Sequence, residues 1–228
     1  MYCWGEIVKL FINALVKFLC GIVLVGVLVF LPAGTLRYSG GLLFAGLLFI
    51  PMLIMGIVLF VRSPELLRRR LDSKEKESVQ KGVVALSALG FIGGFVVAGL
   101  DCRFGWSRVP LTVVIAASVL FLASYGLYYE VMRENVYLSR TIKVEEGQRV
   151  VDTGLYGIVR HPMYASTVLM FLMIPLILGS WYSFAVFLHY PVIIGVRIHD
   201  EEKLLCRELC GYEDYMKKVR YRMIPFIW

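Results

Sequence analysis

The stretch ASTVLMFLMIPLILGSWYSFAVFLHYPVIIGVRI, residues 165–198, is apolar almost throughout and is interrupted at Gly179-Ser180. A bilayer core of about 30 Å takes about 20 apolar residues in a helix, and backbone amides inside it must be satisfied within the protein. The halves 165–178 and 181–198 are each short for an upright span, and each carries one proline, Pro175 or Pro191. The glycine-serine break predicts a tight helical hairpin turned near the outer face; one tilted, kinked helix with an interfacial piece is the alternative. The choice decides the fold, because a hairpin must return residues 161–164 and 197–202 to the same side.

Working outward, four more apolar runs meet the length criterion: 10–31, 41–61, 82–100 and 110–132. Of the 228 residues, 59% are hydrophobic and 18% charged, with a mean hydropathy of +0.74. A soluble domain of this size cannot hide so much apolar surface, which excludes an ordinary soluble enzyme, a disordered chain and a disulfide-framed module. The fold expected is all-α: a polytopic transmembrane bundle of about six passes, the last two forming the hairpin. Six passes place all of the 24 basic residues except Arg37, Arg103 and Arg108 on the side of the termini, so both termini are expected in the cytoplasm. The net charge of +7 then points to anionic membrane lipid rather than nucleic acid. Cys3, Cys20, Cys102, Cys206 and Cys210 are odd in number and lack framework spacing, so no disulfide staple is expected. The first apolar run is too long for a signal-peptide core and is expected to stay in place.

Two polar segments flank the hairpin: EEGQRVVDTGLYGIVRHPMY (145–164) and RIHDEEKLLCRELCGYEDYMKKVRYRMIPFIW (197–228). The hairpin brings His161 and Tyr164 near Arg197, Glu201 and Glu202, gathering an imidazole, two arginines and two carboxylates where headgroups meet cytosol. Ionisable groups at such depth are costly and usually functional. Taken singly, Arg197 with Glu201 at i, i+4 also reads as a plain intrahelical pair, and His161-Pro162 as a helix start with His161 as its cap. The chain accordingly divides into transmembrane helices at 1–133 and a chemistry-bearing region at 134–228.

The string TGLYGIVRHPMYAS (153–166), then RxxxEE at 197–202, then GYxxYxxxV at 211–219 and IPFIW at 224–228, resembles the isoprenylcysteine carboxyl methyltransferase family, whose wider group includes phospholipid N-methyltransferases. The resemblance covers about residues 140–228. It implies an S-adenosylmethionine pocket formed by Gln148, Val151, Tyr156, His161, Pro162, Met163, Tyr164, Glu201 and Glu202. Arg197 would hold the acceptor's carboxylate, and Arg197 and Glu202 would be the catalytic pair. Ala165 and Ser166 follow the RHPxY string where the family commonly has glycine. The implied activity is carboxyl O-methylation of an isoprenylcysteine-like, lipid-modified acceptor, with no metal and no nucleic-acid partner, at a site facing the cytoplasm. A lipid amine acceptor would instead require a base such as His199, Asp200 or Glu202. A non-catalytic transporter or scaffold is the reading from another class.

Several features read as structural. The charged loop 62–81 looks like a short solvated helix. Cys206 and Cys210 are expected to pack rather than bind zinc. His189 suits a buried, hydrogen-bonded side chain, and Glu130 a snorkelling one, with an acceptor role as the alternative. Leu205, Leu209, Tyr212, Met216 and Val219, spaced by four and three, predict one amphipathic helix, with Lys217, Lys218, Arg220 and Arg222 towards anionic lipid.

Overall fold

A computed structural model describes residues 4–71, 78–135, 137–138, 144 and 147–228, apart from the side chains of 78–81 and 83. Cys3, positions 72–77 of the charged loop and Glu145-Glu146 lie outside the described residues. The helices are α1 (Trp4–Ala33), α2 (Ser39–Arg62), α3 (Pro64–Leu71), α4 (Ser78–Phe104), α5 (Leu111–Glu134), α6 (Pro162–Leu178), α7 (Trp181–Phe187), α8 (His189–Glu208) and α9 (Tyr212–Lys218), with a 3-10 turn at Gly154–Gly157. Among the described residues there is no strand. Among the described residues, five segments are long and apolar enough to cross a membrane: Gly5–Ala33, Ser39–Arg62, Val84–Phe104, Leu111–Glu134 and Trp181–Glu208. α6, at 17 residues, is at the short limit for a span. Leu31 and Val61, each 73% exposed, and Val23 at 64% lie among many bare apolar side chains on α1 and α2. That surface suits lipid and would be untenable in water.

The hairpin forms at the predicted break. Gly179 ends α6 in the left-handed region (φ 81°), which an L side chain would resist, and its N–H reaches Leu176 O at 3.1 Å. Ser180 starts α7, its Oγ accepting the Ser183 N–H at 3.0 Å. The same hydroxyl donates to the buried Asp101 carboxylate, which also takes Ser107 N–H at 2.7 Å and Ser107 Oγ at 2.6 Å. The tip is thereby tied to the end of α4. The returning half is divided at Leu188 into α7 and α8. Pro191 has no N–H to offer the Phe187 carbonyl one turn back, and its ring crowds that carbonyl.

α6 packs chiefly on α5, and α1 on α4. Between them Phe91 meets Phe171, Phe187 and Tyr190 edge-on, at centroid distances of 4.7, 5.3 and 5.6 Å. Such offset contacts suit ring quadrupoles, and they hold the hairpin rigid against α4. Beside the start of α6, the ends of α2 and α5 meet α3 in a small cluster of Leu59, Leu66, Leu67, Val131, Met132, Leu138 and Tyr156, with Met163 packed against it.

Two local expectations are corrected. α3 is not a wholly solvated helix: Leu66 and Leu67 are buried, and Arg70 sits over the Tyr128 ring and 3.8 Å from Met163 Sδ. Adjacent leucines in a charged run give α3 an apolar edge, which docks under the site. The tail is not one continuous amphipathic helix either. α8 ends at Glu208, Gly211 takes a left-handed backbone (φ 84°), and α9 starts anew at Tyr212. Of the expected stripe, Leu209, Tyr212 and Val219 are buried, together with Tyr215, and Leu205, Met216, Val144 and Val150 pack against them.

Candidate functional site

Residues 153–157 turn tightly on the end of α5. Gly154 has φ 50°, and a Cβ there would fall 1.4 Å from Glu134 Oε1. The close approach lets Glu134 Oε2 accept the Leu155 N–H at 3.0 Å. It also sets Tyr156 inward, its hydroxyl accepting from Asn135 Nδ2 at 3.0 Å. Burial raises the Tyr156 phenol well above its ordinary pKa, so it stays protonated.

Arg160 and His161 follow. His161 occupies the N-cap of α6 with Pro162 at N1, yet its side chain makes no cap bond. The ring turns instead to Glu202 Oε1 at 3.2 Å; a carboxylate only accepts, so Nε2 carries the proton. Arg160 Nε donates to the same oxygen at 2.7 Å, and Arg222 Nε to Oε2 at 2.9 Å. Arg160 Nη1 also caps the carbonyls of Val219 and Arg220, both at 2.8 Å. Backbone N–H groups of Arg160 and His161 reach Tyr221 O and Arg222 O at 2.9 and 2.7 Å. Glu202 is thus a buried hub, 4% exposed, that ties the RHP segment to the tail.

One turn away, the Tyr164 hydroxyl donates to Glu201 Oε2 and accepts from Arg197 Nε at 2.9 Å. These three side chains edge a cleft enclosing about 830 Å³, including its open mouth. Of the expected site residues, Gln148, Val151, Tyr156, His161, Met163, Tyr164, Arg197 and Glu201 line it. Pro162 and Glu202 do not: Pro162 opens α6, and Glu202 faces the arginines behind the wall. Sequence reasoning missed part of the lining, namely Arg160, Asn135, Tyr212 and Tyr215, with Leu205 and Leu209. The heptad-like spacing of the tail signalled an apolar face but not that it would close over polar groups.

Among the described residues no group of three or more His, Cys, Asp or Glu is placed to hold a metal, and Cys20, Cys102, Cys206 and Cys210 are free thiols. Cys206 Sγ packs at 3.5 Å from Met216 Sδ. Glu130 pairs with Arg133 rather than facing the cleft. His189 bonds Val186 O at 2.6 Å through Nδ1, and its buried Nε2 has no partner among the described residues.

A helical hairpin carrying a polar cluster at its open end, beside bare apolar helices, defines an integral-membrane protein with a cleft at one end of its bundle. Residues 113–207 match the model of the isoprenylcysteine carboxyl methyltransferase (ICMT) family. The match runs from α5 through most of α8, spanning both site motifs and omitting α1–α4 and the tail. The chain is also similar to the Delta(14)-sterol reductase TM7SF2 of Mus musculus, 29% identical over 91 residues, 39% of this chain and 22% of that protein. It is 30% identical over 90 residues to the uncharacterized protein YpbQ of Bacillus subtilis (strain 168), 39% of this chain and 54% of YpbQ. The similarity therefore spans about a fifth and about half of these relatives.

Proposed function

We propose that this chain is an integral-membrane methyltransferase that uses S-adenosylmethionine and acts on the carboxylate of an amphiphilic, isoprenylcysteine-like acceptor. The observation that carries the reading is the Arg197–Tyr164–Glu201 relay: a guanidinium and a carboxylate fixed on one cleft by a shared hydroxyl. The cleft's chemistry fits the cofactor. Glu201 suits an ammonium or a ribose diol, and the faces of Tyr156 and Tyr215 suit an adenine ring and a sulfonium. When bound, the cofactor supplies a methyl group activated by sulfonium.

The residues' part is positioning. Arg197 presents a planar fork that matches a carboxylate acceptor and aims it across the cleft. Tyr164 fixes Arg197 relative to Glu201, so acceptor and cofactor share one rigid reference. A carboxylate needs no proton removed, and charge is lost as the methyl moves, so a cleft edged by lipid favours the transfer. For Glu202 the geometry supports a positioning role rather than a chemical one, since both its oxygens are already engaged.

The same engagement weakens the lipid-amine alternative, which needs a base: Glu202 is held by three donors, and His199 and Asp200 do not line the cleft. A transporter would gather its charges along a path at mid-membrane, whereas here they collect at one end of the bundle.

The test is titration of detergent-purified protein with S-adenosylhomocysteine, followed by methyl transfer to a prenylated cysteine and to phosphatidylethanolamine. Saturable binding that Glu201→Ala abolishes, with transfer to the prenylated cysteine giving a base-labile ester, is the expected result. Absence of binding to folded wild type would overturn the reading.

A further inference from the structure

Tyr212 is 4% exposed, lines the cleft, and its hydroxyl finds no hydrogen-bond partner among the described residues. A buried donor left unmade is costly, and most such groups in folded proteins are satisfied. By contrast, the neighbouring Tyr215 is satisfied, its hydroxyl donating to Tyr156 O at 2.7 Å. The two rings lie 5.6 Å apart on the same wall. Tyr215 therefore anchors the tail to the 3-10 turn, whereas Tyr212 does nothing for the fold that a phenylalanine would not do. Burial, with the charges of Glu202 and Glu201 nearby, raises its phenol far above the ordinary value. It remains a proton donor at any working pH, on a side chain that lines the cleft.

We propose that Tyr212 is a cofactor-binding residue that donates a hydrogen bond to the adenosine portion of the ligand, from a wall where Tyr156, Tyr212 and Tyr215 offer flat faces for a purine. The inference rests on the cofactor reading above. A ring nitrogen or ribose hydroxyl completes the orphaned donor, so binding gains a bond whose loss costs the empty protein nothing.

The experiment compares full-length wild type, Tyr212→Phe and Tyr215→Phe by titration with S-adenosylhomocysteine and with adenosine, and by thermal unfolding without ligand. Tyr212→Phe is expected to weaken both ligands by the same factor, about three- to tenfold, while the empty protein unfolds at the same or a higher temperature. Tyr215→Phe is expected to lower the unfolding temperature, since it breaks a bond that holds the tail. Unchanged affinity in Tyr212→Phe, or a loss confined to S-adenosylhomocysteine, overturns the assignment to adenosine. A drop in the empty protein's unfolding temperature with unchanged affinity would make the hydroxyl structural. Failure of wild type to bind either ligand would instead strike the cofactor reading itself, so the two failures are distinct.

Discussion

Arg160 and Glu202 meet at 2.7 Å across 42 residues of chain, and both are buried. Their pairing closes the open end of the hairpin and holds the tail through Val219 and Arg220. Removing one member of a buried ion pair strands the other, at a cost of about 3–5 kcal/mol. Glu202→Gln is therefore expected to lower unfolding temperature in detergent and to expose the tail to protease. A role in chemistry alone would reduce turnover and leave both readouts unchanged, so protease resistance equal to wild type would refute the structural role.

A second prediction concerns the turn under Tyr156. Gly154→Ala must place a Cβ where Glu134 Oε1 now lies and must hold an L side chain at positive φ. The carboxylate can swing aside, but the Leu155 N–H then loses its acceptor. The expected cost is about 2–3 kcal/mol. A double-mutant cycle with Glu134→Ala should show strong coupling, because each change alone already removes the contact. Additive effects would mean that the turn does not depend on Glu134.

Much of this arrangement was legible in the sequence. Gly179-Ser180 announced the hairpin, and the hairpin alone required His161 to approach Glu202. The break at Leu188 was harder to see, since Pro191 sits where a proline near the start of a helix is harmless; only the preceding helix α7 makes it a break. The pairing of 160–161 with 219–222 left no pattern, because backbone bonds between irregular segments carry no periodicity. The spacing of Tyr212 places it in the apolar stripe, and its hydroxyl gains significance only because that stripe closes over the cleft. The leucines of α3 were likewise hidden in a charged run.

The hairpin tip gives a control. Asp101 is 1% exposed and accepts from Ser107 N–H, Ser107 Oγ and Ser180 Oγ. Hydrogen bonds to a buried charge contribute about 1.5–3 kcal/mol, so Asp101→Ala is expected to destabilise by about 2–4 kcal/mol. The tip lies the length of α6 from the cleft, about 25 Å at 1.5 Å per residue. Affinity for S-adenosylhomocysteine should therefore be unchanged in the fraction that stays folded. A parallel loss of affinity would show that the tip and the cleft are coupled.

Acid sensitivity of the tail can be assigned a sign. Lys218 hydrogen-bonds Asp152 and, by that bond first and its charge second, holds the carboxyl below its ordinary pKa. A depressed folded-state value adds stability above the unfolded pKa and loses it as pH falls through the lowered one. Both groups are exposed, so salt screens the contribution. Asp152→Asn should leave tail proteolysis unchanged at neutral pH and physiological salt. Any low-salt difference from wild type should vanish in acid, and release of the tail at physiological salt would contradict the assignment.

Arg197 offers the sharpest test of acceptor chemistry, because a guanidinium affects carboxylate and amine acceptors in opposite directions. A carboxylate is drawn and aligned by the fork, so Arg197→Gln should lower kcat/KM for a prenylated cysteine by about 100-fold. An amine nucleophile gains nothing from a neighbouring cation, which also discourages the positive charge that forms on nitrogen; for it the same change should be neutral or faster. Arg197→Lys keeps the charge but not the fork, and is expected to fall between wild type and Arg197→Gln for a carboxylate. Initial rates at saturating cofactor, with acceptor concentration varied, separate these cases. Undiminished carboxylate methylation in Arg197→Gln would remove Arg197 from acceptor binding and leave it as the partner that orients Tyr164.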